Sequence, residues 1–252
     1  MAHVLLAILG LSLVMIIHEA GHFFVARRFG IRVTHFSIGF GPALVKWKPR
    51  GSDTTFQIGL VPLLAYVKMD GNDPTEEIDR SDPGLYENKG VFARMATVLG
   101  GPLANYVSAS VLIFGLALTG AKAKPVDEAA KAAVVMPAKM TVESVRGITD
   151  LVRHRTTEGM TGPVGMVQHM ALQSQRGPRA FVGTMMAISI AVGFFNLLPF
   201  PFLDGGRMLF LAIEAVMRKR PNRMVEAIVH AVGLLLFLGM SALITVRDVL
   251  GS

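Results

Sequence analysis

The 252-residue sequence contains no cysteine. That absence excludes disulfides, thiolate metal ligands and a cysteine nucleophile, and it leaves the compartment open. Charge is also scarce, at 17% of residues against 52% hydrophobic, a balance too apolar for an ordinary soluble domain. Aromatic residues make up only 8%, and nowhere do they interleave with basic ones as nucleic-acid binding requires. The net charge of +7 is therefore assigned to membrane-flanking loops, where Lys and Arg orient a protein and meet anionic headgroups. The expectation is a lipid bilayer as partner and no nucleic acid. No internal repeat is present.

What the sequence does have is long apolar runs. A bilayer core needs about 20 consecutive apolar residues per helical span, and residues 4–26, about 95–119, 180–198 and 224–246 meet that length. The expected fold class is an α-helical integral membrane protein with about four transmembrane helices. The first run lacks a basic n-region and a cleavage site, so it reads as a span rather than a signal peptide. The connection after it carries Arg27, Arg28, Arg32, Lys46, Lys48, Arg50, Lys68, Arg80 and Lys89. The short connection after the third span carries Arg218, Lys219, Arg220 and Arg223. The positive-inside rule puts both on the cytoplasmic side and the two termini outside. The connection 121–180 is basic as well, but long loops obey the rule weakly.

Within the first connection, Phe36, Ile38 and Phe40 alternate with polar or small residues, as do Phe56, Ile58 and Leu60, around the turn signal KPRGSD. This predicts a β-hairpin over about 33–69, apolar enough to rest against or dip into the membrane. The acidic stretch DGNDPTEEIDRSDPG that follows reads as a solvated loop. The connection 121–180 opens on AKAKPVDEAAKAA, read as a polar linker. Val142, Val145, Ile148 and Val152 then fall at helical spacing with Arg146, Arg153 and Arg155 on other faces, the pattern of an amphipathic helix on the membrane surface.

The stretch IIHEAGHFF, residues 16–24, puts three ionisable side chains into the first apolar run. On a helix, His18 and His22 share a face one turn apart, with Glu19 beside them, the H-E-x-x-H spacing of zinc hydrolases. At about 1.5 Å per residue, His18 lies roughly 12 Å inside the Ala26 end of the span. A charge at that depth costs on the order of 2.5–3.5 kcal/mol, which metal coordination offsets by satisfying the imidazoles. The alternative is a hydrogen-bond network without metal. A catalytic zinc takes three protein ligands and leaves a position for water, so a third ligand is needed. Asp204, in FFNLLPFPFLDGGR, is the candidate. Pro199 and Pro201 break the helix before it, and Gly205 and Gly206 let the chain turn closely behind it. Asp204 as the cap of a helix starting at Gly205 is the alternative, and the two roles are compatible.

HEAGH in a first span, paired with NLLPFPFLDGG far downstream, resembles the site-2 protease family of intramembrane zinc metalloproteases. FSIGFGP with VPLLAYVKM is similar to that family's membrane-associated β-hairpin, GGPLAN at 100–105 to its second-span motif, and TGPVGMVQ at 161–168 to the segment before its third core span. The resemblance runs from about residue 14 to 215. It implies a single membrane-embedded metalloprotease domain over 1–252, with a broken third span continuing into the LDG segment. It further implies one Zn2+ per chain held by His18, His22 and Asp204, with Glu19 as general base. Asn196 would lie near the scissile carbonyl and help hold substrate or stabilise the oxyanion, and Pro199 would bind substrate. The hairpin edge at Gly39, Phe40 and Gly41, or at 60–67, would hold an unwound substrate as an added strand. The implied activity is endopeptidase cleavage in or near transmembrane segments of single-span proteins such as anti-sigma factors, pro-sigma factors or signal-peptide remnants. A bacterial inner membrane and a regulatory membrane protein fit that picture, and a non-proteolytic scaffold of the same fold is the alternative. Two departures stand out. Between the second and third spans there is no room for the PDZ-like domain that many relatives carry, either by nature or by removal. The hairpin's usual Pro-Leu-Gly-Gly-Tyr reads PLLAY at 62–66.

Overall fold

A run that is apolar on every face has no use for an aqueous surface, and the first such run forms one uninterrupted helix, α1 (Ala2–Arg28). The computed structural model describes residues 1–119, 123–154 and 162–250, without the side chains of 62–64, 151, 152, 154, 163 and 247–250. After α1 come strands β1 (Val33–Trp47) and β2 (Thr55–Met69), a 3₁₀ turn at Tyr86–Asn88, then α2 (Val91–Leu118) and α3 (Val126–His154). Helices α4 (Pro163–Gln175), α5 (Pro178–Leu197), α6 (Asp204–Met217) and α7 (Arg223–Leu250) complete the chain. Four helices, α1, α2, α5 and α7 as far as Val246, are long and apolar enough to cross a membrane. The protein is thus the expected α-helical membrane protein, with a break between α5 and α6 where Pro199 and Pro201 stand.

The chain divides into two compact units, one of residues 1–11, 105–194 and 236–252, the other of 12–104 and 195–235. In the first, Ala109, Ile113, Ala133, Met186 and Ile190 form the core. The expected polar linker is not a linker: α3 already starts at Val126, because its Ala-rich sequence favours helix and Asp127 and Glu128 suit a helix N-terminus. This helix buries Ala129 and Ala133, while Val134, Val142 and Val145 stay exposed. The apolar stripe read from the sequence is therefore its outward side. The side chain of Val152, and all of Arg155 and Thr161, fall outside the described residues.

In the second unit, the end of α1 and the hairpin share a core of Phe23, Ala26, Ile31, Val33, Phe36, Met69 and Tyr86. β1 and β2 pair antiparallel, as expected, from Val33 opposite Met69 to Trp47 opposite Phe56. The long hairpin also curls on itself, so that residues 35–38 face 65–68 on one side and 55–58 on the other. The curl requires close backbone approach where Gly39 (φ +91°) meets Gly59. A Cβ on Gly39 would stand 2.9 Å from the Gly59 carbonyl oxygen, and its positive φ suits only glycine. Away from α1 the hairpin leaves Phe40, Leu44, Val45, Trp47 and Leu60 exposed, an apolar surface consistent with contact to lipid.

The acidic loop is pinned rather than free. Arg32, just before β1, bonds Asp70 Oδ2 at 2.7 Å and Asp82 Oδ2 at 2.8 Å, and the Tyr86 amide bonds the Asp70 carbonyl at 2.8 Å. Glu214 is buried in α6. It pairs with Arg94 of α2, itself only 3% exposed, and lies 3.4 Å from Arg220.

Two consequences are measurable. Glu214→Leu strands the buried Arg94 guanidinium and should lower stability by about 3–5 kcal/mol, read as thermal unfolding in detergent; adding Arg94→Met should restore most of the loss. The Arg32 hydrogen bond holds the Asp82 carboxyl below its ordinary 3.8, helped by the Gly84 amide. A depressed carboxyl stabilises the fold above its unfolded pKa and ceases to as pH falls through the folded value. Exchange protection of the Gly84 and Tyr86 amides should therefore collapse below pH 3.8, and Asp82→Asn should remove that acid-triggered step.

Candidate metal centre

α1 presents His18 and His22 on one face, and the start of α6 brings Asp204 to them. His18 Nε2 is 3.1 Å and His22 Nε2 3.2 Å from Asp204 Oδ2, and the two Nε2 atoms are 3.2 Å apart. Donors held 2.0–2.1 Å from a tetrahedral zinc stand about 3.3–3.4 Å from one another. The observed triangle has nearly those edges. Both imidazoles are buried, at 3% and 7% exposure, and Asp204 Oδ2 is buried without a hydrogen-bond donor. His22 Nδ1 bonds the Thr97 carbonyl of α2 at 2.9 Å. A carbonyl only accepts, so the proton sits on Nδ1 and the Nε2 lone pair is left for a cation. The donor set and its geometry fit a zinc ion.

Glycines create this arrangement. A Cβ on Gly21 of α1 would strike the Gly100 carbonyl of α2, so the two backbones touch, and a Cβ on Gly101 would fall on the Nε2 atoms of His22 and His18. The sequence motif GGPLAN thus contributes empty space at the ligands. On the opposite side, α5 ends at Leu197 and the chain turns through Phe202 (φ 69°) into α6. Cβ atoms on Gly205 and Gly206 would overlap the carbonyls of Leu198 and Phe200. These glycines admit the broken segment against α6, so they serve close packing as well as the turn. Asp204 is the first residue of α6, with Leu203 in the cap position; its carboxylate faces the histidines and is not a cap.

A cavity of about 180 Å3 adjoins the triangle, lined by Glu19, His22, Tyr66, Val67, Met69, Tyr86, Val98, Asp204 and Arg207. Two corners of the triangle, His22 and Asp204, thus line one cavity with the expected base Glu19 and the last part of β2. Burial pushes the Tyr86 phenol up to about 12, so it stays an O–H group at neutral pH. Arg207, one turn after Asp204, is the one Lys or Arg on the wall among the described residues. Neither Tyr86 nor Arg207 carries a sequence signal beyond its neighbourhood to a motif. Other expected residues lie off this cavity. Gly39, Phe40 and Gly41 sit on β1, with Phe40 exposed and Gly41 at φ +90° in open space. Asn196 is half-buried in the last turn of α5 and Pro199 is exposed in the break. Of the two hairpin stretches considered, 60–67 reaches the cavity through Tyr66 and Val67, with Met69 just beyond it.

A sequence model of peptidase family M50 matches residues 6–240. A Synechocystis protein named as a zinc metalloprotease is 41% identical over 111 residues, 44% of this chain and 30% of its own length. Protease RseP of Yersinia pestis is 44% identical over 108 residues, 41% of this chain and 23% of its own. A Helicobacter pylori protein also named as a zinc metalloprotease is 38% identical over 119 residues, 47% and 34% respectively. The chain therefore matches only about a third or less of the length of these relatives.

The glycine cradle gives a specific test. Gly101→Ala should reduce bound zinc, measured by mass spectrometry of the purified protein, to near background. Gly115→Ala, on the same helix but with open space around it, should keep full occupancy.

Proposed function

Because the chain belongs to peptidase family M50, we propose that it is an intramembrane zinc endopeptidase that hydrolyses peptide bonds in or near transmembrane segments of single-span membrane proteins. The observation that carries this reading is the triangle of His18, His22 and Asp204 with 3.1–3.2 Å edges, with Glu19 on the wall of the adjoining cavity. His18, His22 and Asp204 hold one zinc ion per chain. When bound, zinc supplies a Lewis acid that lowers the pKa of a water to about 7 and polarises the substrate carbonyl.

The chain's own residues do the rest. Glu19 takes a proton from the attacking water and delivers it to the leaving amine nitrogen as the C–N bond breaks. The Thr97 carbonyl holds His22 in the tautomer that keeps Nε2 unprotonated. The outer edge of β2 receives the substrate as an extended strand, since a helical segment hides its amide carbonyls until it unwinds. Asn196, Pro199 and residues 39–41 of β1 contribute to substrate contact. The whole chain acts as one membrane-embedded domain in a bacterial inner membrane, with the site towards the cytoplasm, the side assigned to the basic 27–93 and 199–223 connections. Substrates of the anti-sigma, pro-sigma or signal-peptide type, and a regulatory membrane protein, fit this placement.

Glu19→Gln should retain stoichiometric zinc while cleavage of a reconstituted single-span substrate falls by about 10²–10⁴. His22→Ala should lose zinc and cleavage together. Undiminished proteolysis by either variant sinks the assignment, whereas a wild type that cleaves no membrane substrate leaves the scaffold role.

A further inference from the structure

The wall of the cavity beside the triangle includes a tyrosine that the mechanism above leaves unused. Tyr66, near the end of β2, shares its wall with Glu19, His22 and Asp204. In the hairpin, Ser37 lies opposite both Tyr66 and Gln57, so the curl brings these three side chains together. Gln57 Nε2 is 2.7 Å from the Tyr66 phenol oxygen and 3.2 Å from Ser37 Oγ. Ser37 Oγ donates to the Gly39 carbonyl at 2.8 Å. A hydroxyl has one proton, and this one is committed to Gly39. The Gln57 atom facing Ser37 must therefore be the amide nitrogen, which fixes the flip of the side chain. The same nitrogen donates to Tyr66, so the phenol is an acceptor on its inner side and keeps its own proton for another partner. Among the described residues no other hydrogen bond engages that hydroxyl. Ser37 and Gln57 are 0% and 6% exposed, which shields the relay from exchange with water.

Resting on the peptidase reading, we propose that Tyr66, aimed by Gln57, is a catalytic hydrogen-bond donor to the scissile carbonyl oxygen as it becomes an oxyanion. As the water oxygen bonds to the carbonyl carbon, the π electron pair moves onto the carbonyl oxygen, and the phenol O–H meets that growing charge. Tyr66 keeps its proton throughout. The proton released by the water goes to Glu19 and then to the amine, so the step balances without further reactants. Donors placed where charge develops act on the transition state more than on the bound substrate. Gln57 is a positioning residue, acting only through the phenol.

The test compares the full-length wild type with Tyr66→Phe, Gln57→Leu and the double variant in detergent. Zinc content, KM and kcat are measured, together with the affinity for a phosphinic peptide whose tetrahedral anion mimics the oxyanion. Tyr66→Phe should keep its zinc and KM, lose about 10²–10³ in kcat, and lose phosphinate affinity by a comparable factor. Gln57→Leu should lose less, and nothing further when Tyr66 is already Phe. Turnover and phosphinate affinity of Tyr66→Phe within about threefold of wild type, where one donor is worth 10²–10³, overturns the proposal while the peptidase reading stands. So does a raised KM with kcat intact, or an effect of Gln57→Leu that persists in the Phe background. A wild type that neither cleaves nor binds the phosphinic peptide overturns both.

Discussion

Three electron-rich atoms, two imidazole nitrogens and a carboxylate oxygen, stand 3.1–3.2 Å apart in a buried space, and only positive charge among them makes that arrangement stable. A proton can bridge one pair of the three; a metal ion serves all of them at once. The surrounding structure is arranged to hold the triangle open. The α1 and α2 backbones meet at Gly21 and Gly100, Gly101 withholds a side chain from the ligands, and Gly205 and Gly206 let α6 begin against the carbonyls of the broken segment. Each device substitutes absence of a side chain for a specific contact, so position is set by backbone, which is stiffer than any rotamer.

The hairpin has a related economy. Its curl, made possible at Gly39 and Gly59, packs Phe36 against Phe23 of α1 and turns residues 66–69 towards the ligands. Arg32 ties the hairpin's entrance to Asp70 and Asp82 and thereby sets Tyr86 over the same cavity. The outer rim of 65–69 pairs with no further strand among the described residues. Backbone groups left open at such an edge are a template for an added strand, here on the wall of the cavity beside the triangle.

Sequence patterns disclosed whatever depends on neighbours along the chain. The spans follow from apolar length, and the hairpin from alternation around KPRGSD. HEAGH declares itself because His18 and His22 are one helical turn apart. Asp204 could be inferred from the broken backbone around it, although only the fold brings it to the histidines. Long-range features escaped. The pairing of Glu214 with Arg94, 120 residues away, leaves no local pattern. Gly101, Thr97 and Arg207 matter through what they face across helices, and no local pattern encodes that. The start of α3 was misread because Lys and Asp among alanines suit a linker and a helix alike.

The break between the ligands in sequence has a temporal meaning. Asp204 follows His22 by 182 residues, so a growing chain carries its two histidines and glutamate well before Asp204 exists. At about 5–20 residues per second, that interval is roughly 10–40 s. Throughout it the triangle lacks a corner. It closes only when Asp204 packs against the two histidines, so the cluster of donors is a late product of biosynthesis.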